Sequence, residues 1–410
     1  MPPVTALDTF NDIIYFPFNL LQGKNMSKTN FTAIAQPLVS CPTAPFHEHF
    51  ALAQIYEFAR SRPAIKLSQD EYGNLLLLYN GTKKKCTRLI ATAHLDHPGL
   101  LWKENINENQ FIFELFGGVK TALLQGEQVQ VYQLDKGRQQ KPSKARIIKV
   151  DTTPGKRTSV VLEARRPIKP TPTLGTFATW NFPAWKVRGN RLHARVCDDL
   201  VGASVGLTYL DELQRKSVKT RAGLLLTRGE EVGFVGMIAA IQSGKLDPNA
   251  LFINIECSSI KAGAIMGDGP VVRIGDRIHI FDPPTSAALV EVAAEIAQKS
   301  PSFKFQRLLM DSGACEATPL VHAGLRTGAV ALPLGNYHND GGDRLKAEVI
   351  DLNDAHNLVD LFVHLSSMPG GIDTAIQKAS SQLDLHLNQR LATHINLMKS
   401  LRFAARDYSA

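Results

Sequence analysis

The sequence predicts an α/β protein in which a mostly parallel sheet lies between helices, with an all-β, barrel-like domain inserted into it. Two observations lead to this class. Strand and helix patterns alternate before residue 100 and again after Gly189, which is typical of a parallel sheet covered on both faces. Between these stretches the pattern changes to short strands separated by Gly and Pro turns, with no convincing helix, which indicates a small inserted β domain.

Length and composition agree with this class. A chain of 410 residues exceeds the roughly 100 to 200 residues of one ordinary domain. Its 44% hydrophobic and 20% charged residues are typical of a soluble globular protein. No uncharged apolar run approaches the roughly 18 residues of a membrane span, which excludes a membrane-embedded protein.

The α/β domain is predicted to be discontinuous, formed by residues 26–100 and 189–370. Its first part contains the helical stretch FALAQIYEFARSR and apolar runs at 74–79 and 88–93. The inserted β domain is assigned to residues 101–188, where FIFELFG, VQVYQL, ARIIKVD and TSVVLEA are predicted strands. The second part of the α/β domain has predicted helices and strands in alternation, the helices at 200–215, 234–243, 285–299 and 353–367 and the strands at 222–227, 251–256, 306–310 and 326–332.

Both ends of the chain are predicted to differ from the core. Residues 1–25 are assigned to a non-core extension, because Asp8 and Asp12 stand where a signal peptide carries positive charge and Pro17 interrupts the apolar patch. Residues 371–410 are predicted to form a helical C-terminal tail. The five cysteines are widely spaced and form no CxxC pair, which favours reduced thiols and a cytoplasmic location.

The positive charge is concentrated in one segment. The net charge is +8, and residues 136–169 hold eleven basic residues against two acidic ones. A nucleic-acid-binding protein is therefore one alternative, since basic patches bind phosphates. No aromatic residue is interleaved with these charges, as base stacking requires, so a solvated face of the β domain is the favoured interpretation and no nucleic-acid partner is expected.

Imidazole and carboxylate side chains follow the predicted strands. In open α/β sheets, functional groups collect at the carboxyl ends of the strands. Five segments end in such residues, counting Leu192 to Cys197 among the strands: His94 with Asp96, Asp198 with Asp199, Glu230 with Glu231, Glu256, and His338.

Two imidazoles and several carboxylates are a ligand set that suits Zn²⁺, Mn²⁺ or Co²⁺ and is large enough to bridge two ions. Such a pair activates a water and stabilises a tetrahedral oxyanion. In the pair Glu230-Glu231, one carboxylate is expected to be a ligand and the other a base. Each element alone has a structural explanation, as when Asp198-Asp199 caps a helix, but their common position at strand ends favours a metal site.

Five ordered motifs resemble the metal-site segments of the TET-type metallo-aminopeptidases, the glutamyl and leucyl aminopeptidase family. They are AHLDHPG, ARVCDDLVG, TRGEEVGFVGM, INIECS and GACEATPLVHAGLRTGAVALPLGNYHN. MGDGPVVRIGD and AEVIDLNDAHNLVDL are also similar to that family. The resemblance extends over about residues 70 to 365 and implies that the inserted β domain is a lid and dimerisation domain.

The resemblance implies a role for each site residue and two divalent ions per subunit, with zinc expected and cobalt or manganese accepted. Asp198 bridges the ions, His94 and Glu256 complete one site, and Glu231 and His338 complete the other. Glu230 is the general base, and Asp96 orients His94.

The segment after His338, from Asn339 to Arg344, is longer than the short His-Ser-Pro turn of the family. That turn borders the substrate pocket, so the preferred substrate stays open. Glu256 also stands where many relatives carry Asp, and both side chains ligate through a carboxylate.

The expected function is therefore metal-dependent removal of the N-terminal residue from peptides with a free N-terminus. A metal-dependent N-acyl amino-acid deacylase or related amidohydrolase uses the same ligand pattern and is the alternative among enzymes. The resemblance also implies a homo-oligomer built from dimers, with a hollow dodecamer as one form. No membrane partner is expected.

Overall fold

The computed structural model describes residues 26–81, 86–135, 138–139 and 141–400. The extension predicted for residues 1–25 and the last ten residues of the predicted tail lie outside this part of the chain. Eight α-helices occur in the described residues: α1 Met26–Val39, α2 His49–Arg60, α3 Leu200–Arg215, α4 Val235–Gln242, α5 Pro283–Lys299, α6 Ala317–His322, α7 Leu352–Ser367 and α8 Ile372–Ser400.

The same residues form nineteen strands. They are β1 Ile65–Gln69, β2 Leu75–Asn80, β3 Leu89–His94, β4 Gly99–Asn105, β5 Gln110–Phe116, β6 Gln128–Tyr132, β7 Leu134–Asp135, β8 Arg138–Gln139, β9 Ser143–Asp151, β10 Ser159–Ala164, β11 Phe177–Trp180, β12 Lys186–Arg188, β13 Arg191–Ala194, β14 Arg221–Thr227, β15 Leu251–Ser259, β16 Val271–Gly275, β17 Gln306–Leu309, β18 Thr327–Leu334 and β19 Glu348–Asp351.

The central sheet has eight strands in the order β1-β2-β14-β3-β15-β18-β16-β17. The strands at its centre, β14, β3, β15 and β18, are parallel to one another, whereas β2 and β16 run antiparallel to their inner neighbours. Every residue of β3 and β18 is buried, as expected for strands covered on both faces. The predicted fold class, a mostly parallel α/β sheet with an additional β barrel, is confirmed.

Helix α3 packs closely against the sheet because small residues face it. Its first fourteen residues, Leu200 to Leu213, are all buried. A Cβ on Gly206 would lie 2.4 Å from a methyl carbon of Leu224 in β14, so only glycine permits this approach. The buried hydroxyls of Ser204 and Thr208 donate to backbone carbonyls one turn earlier, which removes the cost of burying them.

The inserted β structure is a closed barrel with the strand order β10-β5-β4-β11-β6-β9. Its interior is a separate hydrophobic core that includes Phe111, Phe113, Leu162 and Trp180. The barrel strands extend from Gly99 to Trp180, while β12, inside the predicted insertion, pairs with β13 instead. The division of the chain into domains at residues 100, 188 and 370 stays a prediction.

One expectation about the strands was wrong. The segment that precedes Asp198 was counted with the strands of the main sheet, but β13 belongs to a separate three-stranded sheet with β12 and β19. Its pairing partner β19 follows it by more than 150 residues in the chain, and no local pattern reveals such a distant pairing. Asp198 therefore reaches the site from a different direction than His94 or Glu256.

Helix α8 continues away from the core. Its first turns pack on α5, where Lys378 donates to Glu295 at 2.9 Å and Gln382 donates to Glu291 at 2.8 Å. Residues 381–394 are all exposed. Among the described residues, no helix combines the length and apolar character needed to cross a membrane.

Candidate metal centre

The predicted site residues lie together at one edge of the central sheet. His94 is the last residue of β3, and Glu230 and Glu231 lie in a short 3-10 turn just after β14. Glu256 lies within β15, and His338 lies in a 3-10 turn after β18. Because β14, β3, β15 and β18 are adjacent and parallel, their carboxyl ends bring these side chains to the same edge.

Asp198 lies between two groups of side chains, and each of its carboxylate oxygens faces one group. Its Oδ1 is 3.4 Å from His94 Nε2, which is 3.7 Å from Glu256 Oε2. Its Oδ2 is 3.8 Å from His338 Nε2, which is 3.1 Å from Glu231 Oε1. Ligands about 2.0 to 2.2 Å from a tetrahedral ion are about 3.3 to 3.6 Å apart, and the four spacings, 3.1 to 3.8 Å, lie within about 0.2 Å of that range.

The carboxylates of this centre have few hydrogen-bond donors. Apart from the imidazole contacts above, no donor in the described part of the chain reaches Asp198 Oδ1, Glu231 Oε1 or Glu256 Oε1, and all three atoms are buried. Ligand atoms of His94, Asp198 and Glu231 lie within 4.8 Å of one another. Buried carboxylates are costly unless they are paired or bind a metal, so this donor set fits divalent ions.

The pKa values reflect the same crowding. Burial raises the pKa of Glu230 well above its ordinary value, and the neighbouring carboxylates Glu256 and Glu231 raise it further. Burial alone lowers the pKa of His338, but Glu231 and Asp198 raise it to about 9. Without cations, the centre therefore retains protons that metal ions would displace.

Asp96 makes different contacts from those expected of a side chain that orients His94. The carbonyl oxygen of Asp96, not its carboxylate, accepts the closer contact from His94 Nδ1, at 3.1 Å, while the carboxylate lies at 3.5 Å. The Asp96 carboxylate instead accepts the backbone N–H groups of Glu230 at 2.9 Å and Glu231 at 3.1 Å. Asp96 thus holds the turn that carries the glutamate pair.

The inserted barrel contacts the metal centre directly. His338 Nδ1 donates to the carbonyl oxygen of Gly118 at 2.5 Å, in the loop after β5. This bond leaves His338 Nε2 facing Asp198 and Glu231. Such an outer hydrogen bond fixes the ring orientation of a metal-binding histidine. The ring of Tyr337 stacks on His338 with 3.8 Å between centroids.

Several buried residues near the centre were not singled out from the sequence. His97, Asn339 and Glu348 form hydrogen bonds behind Asp198 and His338. Glu316 is fully buried with a pKa raised to about 8 by burial. All four lie inside the motifs quoted above, and that position was the only signal in the sequence, because their partners are distant along the chain.

A cavity beside Glu256 is lined by a buried arginine side chain, that of Arg273. Its lining includes Arg273, Ser258, Ser312, Cys315 and Tyr337. Arg273 is only 3% exposed. Its Nη1 is 3.5 Å from the Ser258 hydroxyl oxygen, and its Nε has no hydrogen-bond partner in the residues the structure describes. A buried guanidinium with unused donors favours a carboxylate ligand.

Comparisons with known proteins agree with this geometry. Residues 169–361 match the model of the M42 glutamyl aminopeptidase family. Among solved structures, an aminopeptidase from the archaeon Desulfurococcus kamchatkensis matches with a TM-score of 0.69 at 21% identity, covering 86% of this chain and 98% of that one.

Two further solved structures share the fold. The TET aminopeptidase of a marine-sediment Thaumarchaeota archaeon matches with a TM-score of 0.70 at 17% identity, covering 85% of this chain and 99% of that one. The TET1 peptidase of Pyrococcus horikoshii matches with a TM-score of 0.67 at 19% identity, covering 82% and 99%. These structures share the fold of this chain, while the match of residues 169–361 confirms the family resemblance seen in the sequence and supports a metal-dependent aminopeptidase.

Proposed function

We propose that this chain uses a pair of divalent metal ions to remove the N-terminal residue from peptides. The proposal rests on the match of residues 169–361 to the model of the M42 glutamyl aminopeptidase family. The family match supports a metal-dependent aminopeptidase. The observation that carries the proposal at residue level is the position of Asp198, whose two carboxylate oxygens face two separate His-carboxylate pairs.

In this proposal, His94 and Glu256 hold one ion, Glu231 and His338 hold the other, and Asp198 bridges them. Zinc is the proposed ion, although cobalt and manganese accept the same donors. When bound, such ions polarise the scissile carbonyl and lower the pKa of a water. The two imidazoles are held by backbone carbonyls, those of Asp96 and Gly118, so both rings keep Nε2 toward the carboxylates.

Glu230 is the proposed general base. Its Oε2 lies 3.8 Å from His94 Nε2, next to the ligand groups but outside the two pairs. The carboxylate takes a proton from the attacking water and delivers it to the amine of the leaving peptide.

The preferred first residue is proposed to be acidic. The Arg273 guanidinium lies in the cavity beside Glu256 and has donors to spare. A glutamate or aspartate side chain of the substrate would give the Arg273 Nε the hydrogen-bond acceptor that the described residues do not supply, although the charges of Glu256 and Asp276 already act on this guanidinium. The description of the matching family, glutamyl aminopeptidase, agrees with this assignment.

The working protein is proposed to be a homo-oligomer in the cytoplasm. The TET1 peptidase of Pyrococcus horikoshii can assemble into a tetrahedron or a large octahedral shell, and a twelve-subunit form of that peptidase has been solved. By analogy, dimers formed through the barrel would build a dodecamer. The five cysteines are free thiols, in keeping with a reducing compartment.

The function is tested with matched free-amine and N-acetylated aminoacyl anilides. Protein stripped of metal by a chelator should regain cleavage of the free-amine series when Zn²⁺, Co²⁺ or Mn²⁺ is added. Glu230→Gln should lower kcat by about 10² to 10⁴ fold, while the exposed Glu71→Gln should leave it unchanged. Cleavage of the acetylated series instead would assign a deacylase.

The acidic preference has its own test. Arg273→Gln should lower kcat/KM for glutamyl anilide about 10 to 100 fold, because a hydrogen bond to a charged group contributes about 1.5 to 3 kcal/mol. The glutaminyl substrate should change little. Arg277→Gln, at an exposed position four residues away, is the control. An equal loss for both substrates would contradict the proposed role of Arg273.

A further inference from the structure

His97 lies directly behind the metal centre and has no role in the mechanism described so far. It is 1% exposed. Its Nδ1 is 2.8 Å from the carbonyl oxygen of Asp198, and its Nε2 is 3.0 Å from Asn339 Oδ1. The ring therefore contacts the residue proposed to bridge the ions on one side and the neighbour of His338 on the other.

The orientation of the Asn339 amide follows from its other bonds. Its Nδ2 donates to the carbonyl oxygens of Arg195 and Lys346, both at 3.1 Å. The amide oxygen is thus the atom that faces His97. Because this oxygen and the carbonyl oxygen of Asp198 both accept, the ring donates to both partners only in the form that carries hydrogen on both nitrogens. Asn339 belongs to the lengthened segment after His338, so this segment supplies a buried polar contact with the metal centre.

Glu348 completes the cluster. Its Oε2 accepts the N–H groups of Cys197 at 2.7 Å and Asp198 at 3.1 Å, and its Oε1 accepts the N–H group of His338 at 3.0 Å. The same Oε1 lies 3.9 Å from His97 Nε2. All of these bonds converge on two backbone segments, one that carries Asp198 and one that carries His338.

A histidine that only fills space in the core would not need these partners. The segments joined by His97 come from different sheets, since Asp198 follows β13 and His338 follows β18. Within the described residues, side-chain bonds from His97, Asn339 and Glu348 connect these two loops behind the ligands. The separation between Asp198 Oδ2 and His338 Nε2, 3.8 Å, depends on how the loops are held.

We propose that His97 is a positioning residue that joins the Asp198 segment to the His338 segment and thereby sets the spacing of the second metal pair. This inference rests on the proposed metal-dependent function. Asn339 is its partner in this task, and Glu348 holds the backbone of both segments. Outer contacts of this kind typically change metal affinity about 10 to 100 fold when they are removed.

The test measures metal binding by the full chain rather than activity alone. Metal-stripped protein is titrated with Co²⁺ and followed by visible absorption and calorimetry, with the melting temperature of the metal-free form measured in parallel. Three variants separate the two bonds. His97→Asn keeps a donor near the place of Nδ1, His97→Gln keeps one near the place of Nε2, and His97→Leu keeps neither. His322→Asn, at an exposed site, is the control.

The wild-type protein should bind two Co²⁺ ions per chain. His97→Leu should weaken binding of one ion about 10 to 100 fold, and His97→Asn and His97→Gln should each recover part of the loss. If His97→Leu does not fold, His97→Gln and Asn339→Leu carry the test. Affinity within about two fold of wild type in the folded variants, or affinity that only follows the melting temperature, would overturn the proposal. A wild-type chain that binds no Co²⁺ would instead contradict the proposed function.

Discussion

The buried carboxylate of Asp198 faces both of the proposed metal positions. Its backbone N–H is held by Glu348, its carbonyl oxygen by His97, and its two carboxylate oxygens face opposite imidazoles. The adjacent Asp199 side chain is also buried, and a Cβ on Gly202 would lie 2.2 Å from its Oδ1. Glycine at 202 is therefore required for Asp199 to occupy this space.

At the residue scale, the burial of Glu316 predicts that the stability of the metal-free protein depends on pH. Burial raises its pKa from 4.5 to about 8, so the folded state binds its proton more tightly than the unfolded state. The contribution of this group to the free energy of unfolding is therefore greatest below pH 4.5 and falls as the pH rises to about 8. Glu316→Gln should flatten this dependence, as measured by urea unfolding of chelated protein at pH 5 and pH 8.

The exposed Glu71→Gln serves as the control for this experiment, since it should leave the difference between the two pH values unchanged. Addition of Zn²⁺ should raise wild-type stability most at pH 8, because the ions compete with protons for the same carboxylates. An equal pH dependence in wild type and Glu316→Gln would show that Glu316 does not carry this effect.

At the element scale, the turn after β14 is held by an ion pair between a buried carboxylate and a partly exposed arginine. Arg228 Nε donates to Glu48 Oε2 at 2.7 Å, and Arg228 also donates to the carbonyl oxygens of Tyr72 and Phe46. Glu48 is fully buried and accepts the N–H group of Gly229. This pair connects the loop before α2 to the turn that carries Glu230 and Glu231.

Arg228→Met should therefore destabilise the protein strongly. It leaves the Glu48 carboxylate buried without its cation, which costs about 3 to 5 kcal/mol. The double variant Arg228→Met with Glu48→Gln should recover part of that loss, because no uncompensated charge remains. Urea unfolding of both variants measures the coupling between the two side chains. Strictly additive effects would mean that the ion pair does not hold the turn.

The barrel also carries an exposed basic surface. Lys141, Lys144 and Arg146 are exposed, and the last two lie on β9 at the outer side of the barrel. Their charges belong to the basic segment 136–169, the only strongly charged segment identified in the sequence. A single-sign surface raises the local concentration of oppositely charged peptides.

At the scale of the whole molecule, this surface predicts a preference in substrate capture. Neutralising Lys141, Lys144 and Arg146 together should raise KM for acidic peptides at low salt and leave neutral peptides unchanged, because exposed charges act over about 10 Å at 0.1 M salt. Steady-state kinetics at low and high salt measure the effect. An unchanged ratio of acidic to neutral KM would exclude a role for this surface.

The site residues come from two separate sheets, and only the contribution of the main sheet could be predicted from the sequence. The parallel strands β3, β14 and β15 end at a common edge, so the positions of His94, Glu230, Glu231 and Glu256 follow from alternation along the chain. The direction from which Asp198 arrives did not follow from it. That direction depends on the pairing of β13 with β19, and the sequence has no local sign of this contact.

The sequence by itself determined the elements, the class of fold and the chemistry of the ligand set, because hydrophobic periodicity and residue type are local properties. The tertiary structure alone decided the contacts of Asp96, the bond from Gly118 to His338, the cluster around His97 and the burial of Arg273. Each of these joins residues far apart in the chain, through packing that fixes distances no sequence pattern encodes. The sequence was therefore sufficient to propose the site residues, whereas the residues that hold them in place became apparent only in the structure.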